Sequence, residues 1–337
     1  MAGAKIRVCS WNIYNDIWHS VNDKVENKTH AYFRSISRLN FIQEMLLDGR
    51  FDIMCLQEVD HITITGLKKQ SVNHKMTLVT SQQNFLESRR NNCCIMFRDN
   101  FKLVAKKDFN LNNSVSTHLT NYAYENLYHI EDAFIKELRA RNSTATMILL
   151  ELTSRKAFLG ICNCHIHWNP SYADVKLFHT YFIVKEFCQF VHTTLVGWYS
   201  FIPLLLIGDF NSTPLLKIQG GPENTTLSGV YELITTGNLS KKHPHHPAQL
   251  RKNKDFQNYP DLNIDPFKSV FKEVNGSEPM FTNKTSKFSG CIDFIFYKEL
   301  IPISAESIPR NLGKNEILPN SNFPSDHVIL MSEFFLV

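Results

Sequence analysis

The chain has 337 residues, of which 43% are apolar and 20% are charged. These proportions are ordinary for a folded globular protein and, together with the absence of a low-complexity tract, they exclude a disordered chain. The formal net charge of +4 permits a phosphate or nucleic-acid ligand without indicating one.

Apolar residues, in short runs or at helical spacing, predict strands and helices that alternate along the chain. In chain order, we expect a strand at 6–12, a helix at 34–48, strands at 51–56, 76–80, 93–97, 145–152 and 157–164, a helix at 174–192, and strands at 204–207, 292–297 and 328–335. This alternation indicates an α/β fold. Because the polar motifs described below are spread over almost the whole length, we expect a single domain over 1–337.

A histidine-rich stretch separates the last predicted strands from the rest. Residues 237–260 are rich in His, Lys, Asn and Pro and show no period, so we expect a surface insertion there. Its histidines, His243, His245 and His246, predict a solvated loop, with a metal-binding tract as the alternative.

The cysteines and the N-terminal residues indicate in which cellular compartment the protein is expected. None of the eight cysteines shows metal-ligand spacing, and several lie in apolar runs, which suits free thiols in a reducing environment. The N-terminus resembles neither a signal peptide nor a transit segment, and the most apolar stretch, 195–207, is too short to span a bilayer. We therefore expect a cytoplasmic protein, with a nuclear pool allowed, and no membrane partner.

Carboxylates stand in unusual places along this chain. Glu58 and Asp209 follow apolar strand-like runs, Asp293 interrupts another, and Asp326 precedes His327 behind a proline. An ionised carboxylate in apolar surroundings is costly unless it is paired or bound to a metal. A shared metal and phosphate site would explain all four positions.

The acidic motifs also have ordinary explanations. Glu58 alone would be a solvated loop residue, and Asp209 with Asn211 would form a turn held by local hydrogen bonds. If the strand continues through residue 208, Asp209 and Asn211 point to one face. A carboxylate and an amide on one face suit a hard cation together with a phosphate oxygen.

Histidines supply the remaining candidates. Asp293 needs a partner inside its strand, and pairing with His327 would favour the protonated imidazole. His165 and His167 share a face at a strand end, where one histidine is usually structural but two, beside a Trp–Pro corner, raise the odds of function. No serine-nucleophile elbow, P-loop or zinc-protease motif competes. Acidic, amide and imidazole ligands without thiolates favour Mg²⁺, with Mn²⁺ as an alternative.

Taken in order, the motifs resemble the endonuclease/exonuclease/phosphatase superfamily over nearly the whole chain. The set comprises Trp11-Asn12, Leu56-Gln57-Glu58-Val59, Asn163-x-His165, Gly208-Asp209-Phe210-Asn211-Ser212, Ile292-Asp293-Phe294 and Ser325-Asp326-His327. Residues 165–177 and 288–297 are similar to the Ccr-type poly(A) deadenylases and their Angel, nocturnin and 2′-phosphodiesterase relatives. The resemblance implies a four-layer α/β sandwich of the deoxyribonuclease I type, with two packed mixed sheets and helices on the outside.

The resemblance also implies a metal site. Glu58 would be the principal Mg²⁺ ligand, with Asn12 hydrogen-bonding nearby. Asp209 would serve a second metal position and act as general base for the attacking water. Asp326 would lie on the metal side.

The phosphate and the base would be held by further motif residues. Asn211 and His165 would bind the scissile phosphate, and His327, paired with Asp293, would stabilise its charge. An adenine would stack between Pro170 and Phe288. Its polar contacts would be Asn283 and, with a less certain alignment, Glu87. The alternative for Phe288 is ordinary core packing.

From this resemblance we expect a Mg²⁺-dependent 3′-to-5′ exoribonuclease that prefers poly(A). The alternatives are a nucleotide 2′-phosphatase, a cyclic-phosphate phosphatase or a 2′,5′-oligoadenylate phosphodiesterase, then a non-catalytic RNA-binding scaffold, and finally an inositol-phosphate phosphatase. The expected partner is the 3′ poly(A) end of RNA or an adenine-containing nucleotide. Partners from mRNA decay are compatible with the resemblance, although no leucine-rich repeat is present to dock them.

Overall fold

Two six-stranded sheets form the centre of the protein in the computed structural model, which describes residues 4–15, 36–81, 93–126, 133–195, 201–216, 226–251, 259–310, 312–313 and 315–336. The first sheet contains β1 (Ala4–Asn12), β2 (Ile53–Gln57), β3 (Met76–Thr80), β4 (Cys94–Arg98), β15 (Ile301–Ile308) and β16 (Ile329–Leu336). Its order is β15-β16-β1-β2-β4-β3. Only β1 and β2 run parallel among its paired strands.

The second sheet has the same design. It contains β5 (Phe101–Asp108), β6 (Thr144–Leu152), β7 (Ala157–His165), β8 (Leu204–Asp209), β11 (Lys268–Ser269) and β14 (Asp293–Lys298). Its order is β11-β14-β8-β7-β6-β5, and β7 and β8 form its parallel pair. Two short ribbons pair β9 (Asn238–Leu239) with β10 (Leu262–Asn263), and β12 (Asn283–Lys284) with β13 (Ser289–Gly290).

Helices cover the outer face of each sheet. They are α1 (Ile36–Leu47), α2 (His61–Asn73), α3 (Leu111–Asn126), α4 (Ala133–Ala140), α5 (Ala173–Thr194), α6 (Gly229–Thr236), α7 (Pro247–Leu250) and α8 (Val270–Asn275). Side chains of α1 and α2 join the core around the first sheet, and those of α4, α5 and α6 join a second core on the far side of the second sheet. The predicted four-layer α/β sandwich is therefore confirmed.

The strand β8 shows why both faces of the central strands are apolar. Leu205 and Ile207 belong to the core between the sheets, whereas Leu204 and Leu206 belong to the core under the helices. A strand that is covered on both sides reads as a continuous apolar run. Each fully buried side chain of this kind contributes ~1.5–3 kcal/mol relative to leaving it exposed.

Most predicted elements are present with small changes of bounds. The helix expected at 174–192 is α5, and the strand expected at 328–335 is β16. Residues 34 and 35 of the helix expected at 34–48 lie outside the described residues, and the rest corresponds to α1. All eight cysteines are free thiols and seven are buried, as expected.

The solvated loop expected for the histidine-rich stretch is wrong for the part that the structure describes. His243 and His246 are buried. His246 Nδ1 accepts from Ala248 N (3.1 Å) and Nε2 donates to Pro260 O (2.9 Å). His243 likewise uses both ring nitrogens, with Leu227 O and His245 N. Since these nitrogens hold the backbone together, they are not free to bind a metal, and the alternative is also disfavoured.

Within the described ranges, no helix combines the length and the apolar character needed to cross a bilayer.

Candidate active site

The ends of the parallel strands bring the polar motif residues to one place. β1 ends at Asn12, β2 is followed by Glu58, β7 ends at His165 and β8 ends at Asp209. Parallel pairing puts the two strand ends of each pair at the same edge of their sheet. The Asn12 Nδ2 group lies between the sheets and donates to Glu58 Oε1 and Asp209 Oδ2, both at 3.1 Å.

Glu58 is held by its backbone and by two donors. Its φ is +57°, so the chain turns sharply where β2 ends. The second carboxylate oxygen, Oε2, accepts from Asn15 N at 3.0 Å. The ordinary reading of Glu58 as a solvated loop residue is therefore wrong, because both oxygens are fixed.

Asp209 is deeply buried, at 1% exposure. Its Oδ1 accepts from Asn211 N (2.8 Å), and its Oδ2 is 3.6 Å from His165 Nε2. Burial and the nearby Asp293 carboxylate raise the pKa of Asp209 to about 6, against the opposing effect of His327 and His165. The carboxylate is thus poised to take a proton near neutral pH.

The close contact of β7 and β8 requires glycine just before Asp209. Gly208 has φ +147°, and a Cβ atom there would lie 1.9 Å from Cys164 O. A larger residue would push β8 away from β7 and with it the neighbouring pair His165 and Asp209.

Asp293 and His327 form the predicted pair. His327 Nδ1 is 2.8 Å from Asp293 Oδ2. Its Nε2 faces Asp209 Oδ2 at 3.8 Å and Asp326 Oδ1 at 3.9 Å. Burial alone would lower the pKa of His327, but Asp293, Asp326 and Asp209 raise it well above its usual value. The imidazolium therefore prevails at neutral pH and presents an N–H to the cleft.

Three hydroxyl and indole groups fix this pair in place. Thr282 Oγ1 donates to Asp293 Oδ2 at 2.6 Å and accepts from two backbone N–H groups. Ser325 Oγ donates to Asn12 O (2.6 Å) and accepts from His327 N (3.1 Å). Trp11 Nε1 donates to His327 O (3.0 Å). Thr282 was not identified from the sequence, because nothing in its neighbourhood marks it.

Asp326 has a buried carboxylate oxygen that suits a cation. Asn283 Nδ2 donates to its Oδ2 at 3.0 Å, but its buried Oδ1 has no hydrogen-bond partner among the described residues. Burial raises the pKa of Asp326, Glu58 raises it further, and His327 opposes both. Two carboxylates that repel one another beside an unsatisfied oxygen fit a hard divalent cation.

A second group of possible ligand atoms has another explanation. Atoms of Asp209, Asp293 and His327 all lie within 4.8 Å of one another. Because the imidazole Nδ1 is already bonded to Asp293, this group is better described as a charge pair facing Asp209 than as a metal cage. The buried acidic and histidine site as a whole remains suited to a divalent metal.

Asn211 is held at three points. Its N donates to Asp209 Oδ1 (2.8 Å), its Nδ2 donates to Ile166 O (2.9 Å), and its carbonyl accepts from Lys176 Nζ (2.6 Å). Its φ is +49°. The predicted turn with Asp209 is thus real, and it is also part of the site.

Lys176 is a residue of this site that the sequence analysis missed. Its exposed fraction is 5%, and burial lowers its pKa to about 8, although Asp209 opposes the shift. The available signal was a lone lysine within the apolar residues that begin α5. No ion pair joins Lys176 to a carboxylate of the described residues, so its charge lies unneutralised below Asn211.

A polar bridge joins the two sheets beneath the site. Gln57 Nε2 donates to Asn163 Oδ1 at 2.7 Å, and Asn163 Nδ2 donates to Leu56 O and Cys94 O. Asn163 belongs to the second sheet and its three partners to the first. These bonds fix the register of one sheet against the other directly under the catalytic residues.

These residues open onto a cleft of about 480 Å³. Its lining consists of Tyr14, Glu58, His165, Trp168, Pro170, Asp209, Asn211, Asn283, Phe288, Ile292, Asp326 and His327. Phe288 is half-buried and lies over Gly290, where a Cβ would approach the ring to 2.9 Å. The structure therefore brings together every predicted site residue that it describes, whereas Glu87 lies outside the described residues.

Comparison with known proteins agrees with this arrangement. Residues 9–327 match the model of the Endonuclease/Exonuclease/phosphatase family. The chain is 27% identical to the CCR4-Not complex 3′-5′-exoribonuclease subunit Ccr4 of Schizosaccharomyces pombe and also of Saccharomyces cerevisiae. Each alignment covers 88% of this chain, but only 44% and 35% of the two relatives, so the chain spans less than half of their length.

Solved structures share the fold. The structure of ANGEL2, a 2′,3′-cyclic phosphatase, is similar with a TM-score of 0.72 and 20% identity, covering 99% of this chain and 96% of that one. The human Nocturnin catalytic domain is similar with a TM-score of 0.61 and 21% identity, covering 99% and 95%. At these identities the likeness concerns the fold.

Proposed function

The chain belongs to the Endonuclease/Exonuclease/phosphatase family, and from this premise we propose that it is a metal-dependent 3′-to-5′ exoribonuclease that prefers poly(A). The observation that carries the proposal is the convergence of Glu58, Asp209 and the Asp293–His327 pair on the cleft that Pro170 and Phe288 also line. The yeast relatives that are named 3′-5′-exoribonuclease subunits support the reaction class.

We infer that Glu58 and Asp326 hold a divalent cation, with Asp209 serving a second position. The unsatisfied Asp326 oxygen and the like charges around it support this assignment. Oxygen ligands favour Mg²⁺, and Mn²⁺ is the expected substitute. When bound, the cation would neutralise charge on the phosphate that is being cleaved.

The proposed roles of the other residues follow from their protonation. Asp209, with its pKa of about 6, takes the proton of the attacking water. His327 stays protonated beside Asp293 and donates Nε2–H to a phosphate oxygen. Asn211 and His165 orient the same phosphate, and the anchored loop of Asn211 keeps the geometry fixed before substrate arrives.

The base-binding proposal rests on the cleft. Pro170 and Phe288 offer two flat apolar surfaces, and Asn283 offers an amide. Stacking of one base on an aromatic ring is worth ~1–3 kcal/mol, enough to bias the enzyme toward adenine ends. Glu87 remains a proposed contact. We extend the proposal to partners from mRNA decay and to a cytoplasmic location with a nuclear pool.

One assay tests the reaction. Purified protein is incubated with a 5′-labelled RNA that ends in an A-tail, and with an equal RNA that ends in mixed sequence, in Mg²⁺ or EDTA. We expect Mg²⁺-dependent shortening that slows at the tail boundary and is abolished in Glu58→Ala. The control is Asp265→Ala, which removes a carboxylate whose side chain is 77% exposed and should leave the rate unchanged.

The main alternative is a phosphatase on a small nucleotide, which the name of ANGEL2 motivates. This alternative predicts that neither RNA is shortened. It also predicts that the protein releases phosphate from 2′-phosphorylated nucleotides or opens 2′,3′-cyclic nucleotides, and that Glu58→Ala abolishes this activity. Both results together would replace the exoribonuclease proposal.

A further inference from the structure

Trp168 is a large aromatic side chain displayed to solvent at the catalytic cleft. Its exposed fraction is 64%. Among the large apolar side chains that are exposed in the described part of the chain, it is the one that lines this cleft. Single exposed apolar residues need no explanation in themselves, so the case depends on how the ring is held and what surrounds it.

The loop that carries Trp168 is fixed on both sides. Before it, His167 N donates to Ser143 Oγ at 2.9 Å. After it, Ser171 N donates to Asn169 Oδ1 at 2.9 Å and a turn closes from Tyr172 N to Asn169 O at 3.2 Å. The backbone that carries the indole is therefore held in place, and little ordering of the loop is needed when a planar ligand stacks on the ring.

Aromatic and cationic groups support the loop from behind. The His167 ring lies 6.0 Å from the Trp168 ring and 5.6 Å from the Tyr172 ring. The Arg141 guanidinium lies 4.1 Å from the Tyr172 ring centre and donates to the Tyr172 hydroxyl, and neither contact neutralises its charge. The cation thus holds Tyr172, and the aromatic ring left open at the cleft is Trp168, a surface of the kind that stacks a base of single-stranded nucleic acid.

The size of the cleft indicates how much of an RNA chain it can hold. A volume of about 480 Å³ lies low in the range of small-molecule sites, roughly 300–1,000 Å³. It suits one nucleotide, bound between Pro170 and Phe288. The rest of an RNA chain has to leave over the edge of the cleft.

We propose that Trp168 forms a second nucleoside subsite, which stacks the base next to the one held in the cleft. The inference rests on the proposed action on a nucleotide chain and adds a subsite outside the catalytic residues. Loss of one stacked base weakens binding roughly 5- to 150-fold.

Binding without turnover tests this subsite. Dissociation constants for 5′-AMP and for a hexamer of adenylate are measured in EDTA, with wild-type protein, Trp168→Ala and Trp168→Phe. Phe201→Ala is the control, because its ring is 73% exposed and does not line the cleft. We expect wild type to bind the hexamer at least tenfold more tightly than AMP, Trp168→Ala to lose most of this ratio, and Trp168→Phe to keep most of it.

Two results would overturn the subsite: an unchanged hexamer-to-AMP ratio in Trp168→Ala, or no preference for the hexamer in wild type. Thermal melting of both variants checks folding, and Trp168→Phe retains a ring even if the alanine variant is unstable. Failure of the proposed reaction can be distinguished from failure of the subsite. The reaction is tested by Mg²⁺-dependent hydrolysis and by Glu58→Ala, whereas the preference for the hexamer is measured without metal.

Discussion

At the scale of single residues, the site is organised around Asp293. Its carboxylate raises the pKa of His327 and also that of Asp209. One residue therefore controls both protonation states that the proposed reaction needs. His327 must keep its proton, and Asp209 must be able to accept one. Its pairing with His327 and Thr282 explains why an acid is tolerated at 1% exposure where β14 begins.

Asp293→Asn should move both limbs of the pH–rate profile to lower pH. The acid limb follows deprotonation of Asp209, whose raised pKa falls when the neighbouring charge is removed. The alkaline limb follows loss of the His327 proton, whose pKa falls for the same reason. We also expect kcat/KM to drop about 100-fold at neutral pH, as when one charge-stabilising group is removed. Profiles of kcat/KM against pH for wild type and Asp293→Asn measure both effects, and unmoved limbs would contradict the assignment.

Lys176→Met should lower kcat more than it raises KM. The substitution removes the donor to Asn211 O, so the loop that orients the phosphate loses one of its three anchors. The loss of a buried hydrogen-bond donor costs ~1–3 kcal/mol, which corresponds to a decrease of about 5- to 150-fold. Lys185→Met, on an exposed position of the same helix, is the matched control. Partial recovery in Lys176→Arg would support positioning, whereas an equal loss in Lys176→Met and Lys185→Met would argue against it.

At the scale of elements, the contact between β7 and β8 is the most demanding. Gly208→Ala would force a Cβ into Cys164 O, and both contacting atoms belong to neighbouring strands. We expect the free energy of unfolding to fall by at least about 3 kcal/mol. Gly276→Ala is the control: its φ is +77° but nothing lies within 4 Å of the new atom, so only the strain of about 1–2 kcal/mol applies. Urea denaturation compares the two, and equal losses would show that the backbone contact is not limiting.

Apolar pattern predicted the central strands well and the outer elements poorly. Strands such as β8 are covered on both faces, and their continuous apolar runs are easily recognised. The helix α2 was missed because Ile-Thr-Ile-Thr follows its first residue, His61, and these β-branched residues favour strand over helix. The edge strand β5 was missed because most of its side chains are exposed or half-buried.

The candidate site was foreseen through motifs, not through local pattern. Asp209 and Asn211 were placed on one face by strand geometry, but their approach to Asn12 depends on how the two sheets pack, which local pattern does not reveal. Lys176 and Thr282 were missed for the same reason: each acts on a residue distant in sequence. Family resemblance supplied the long-range pairing that periodicity lacks.

At the scale of the whole molecule, metal binding should stabilise the fold, because the ligands come from distant parts of the chain. Saturation at 100 times the dissociation constant adds ~2.7 kcal/mol, so Mg²⁺ should raise Tm by roughly 5 °C. Asp326→Asn should melt slightly higher than wild type in EDTA, since it removes a buried charge whose burial, together with Glu58, outweighs its attraction to His327. The variant should also lose at least half of the Mg²⁺ shift. A full Mg²⁺ shift in this variant would remove Asp326 from the metal site.

The pairing of β1 with β16 joins the first described strand to the last. Ser325 Oγ reaches Asn12 O across 313 positions, and Trp11 Nε1 reaches His327 O across 316. A growing polypeptide folds from its N-terminal side as it leaves the ribosome, so Glu58, His165 and Asp209 all emerge long before His327. A chain that ends before β16 lacks the His327 imidazolium, and its β1 pairs with β2 alone. The site of the proposed reaction is therefore incomplete until residues 325–327 have packed against the strands that were synthesised first.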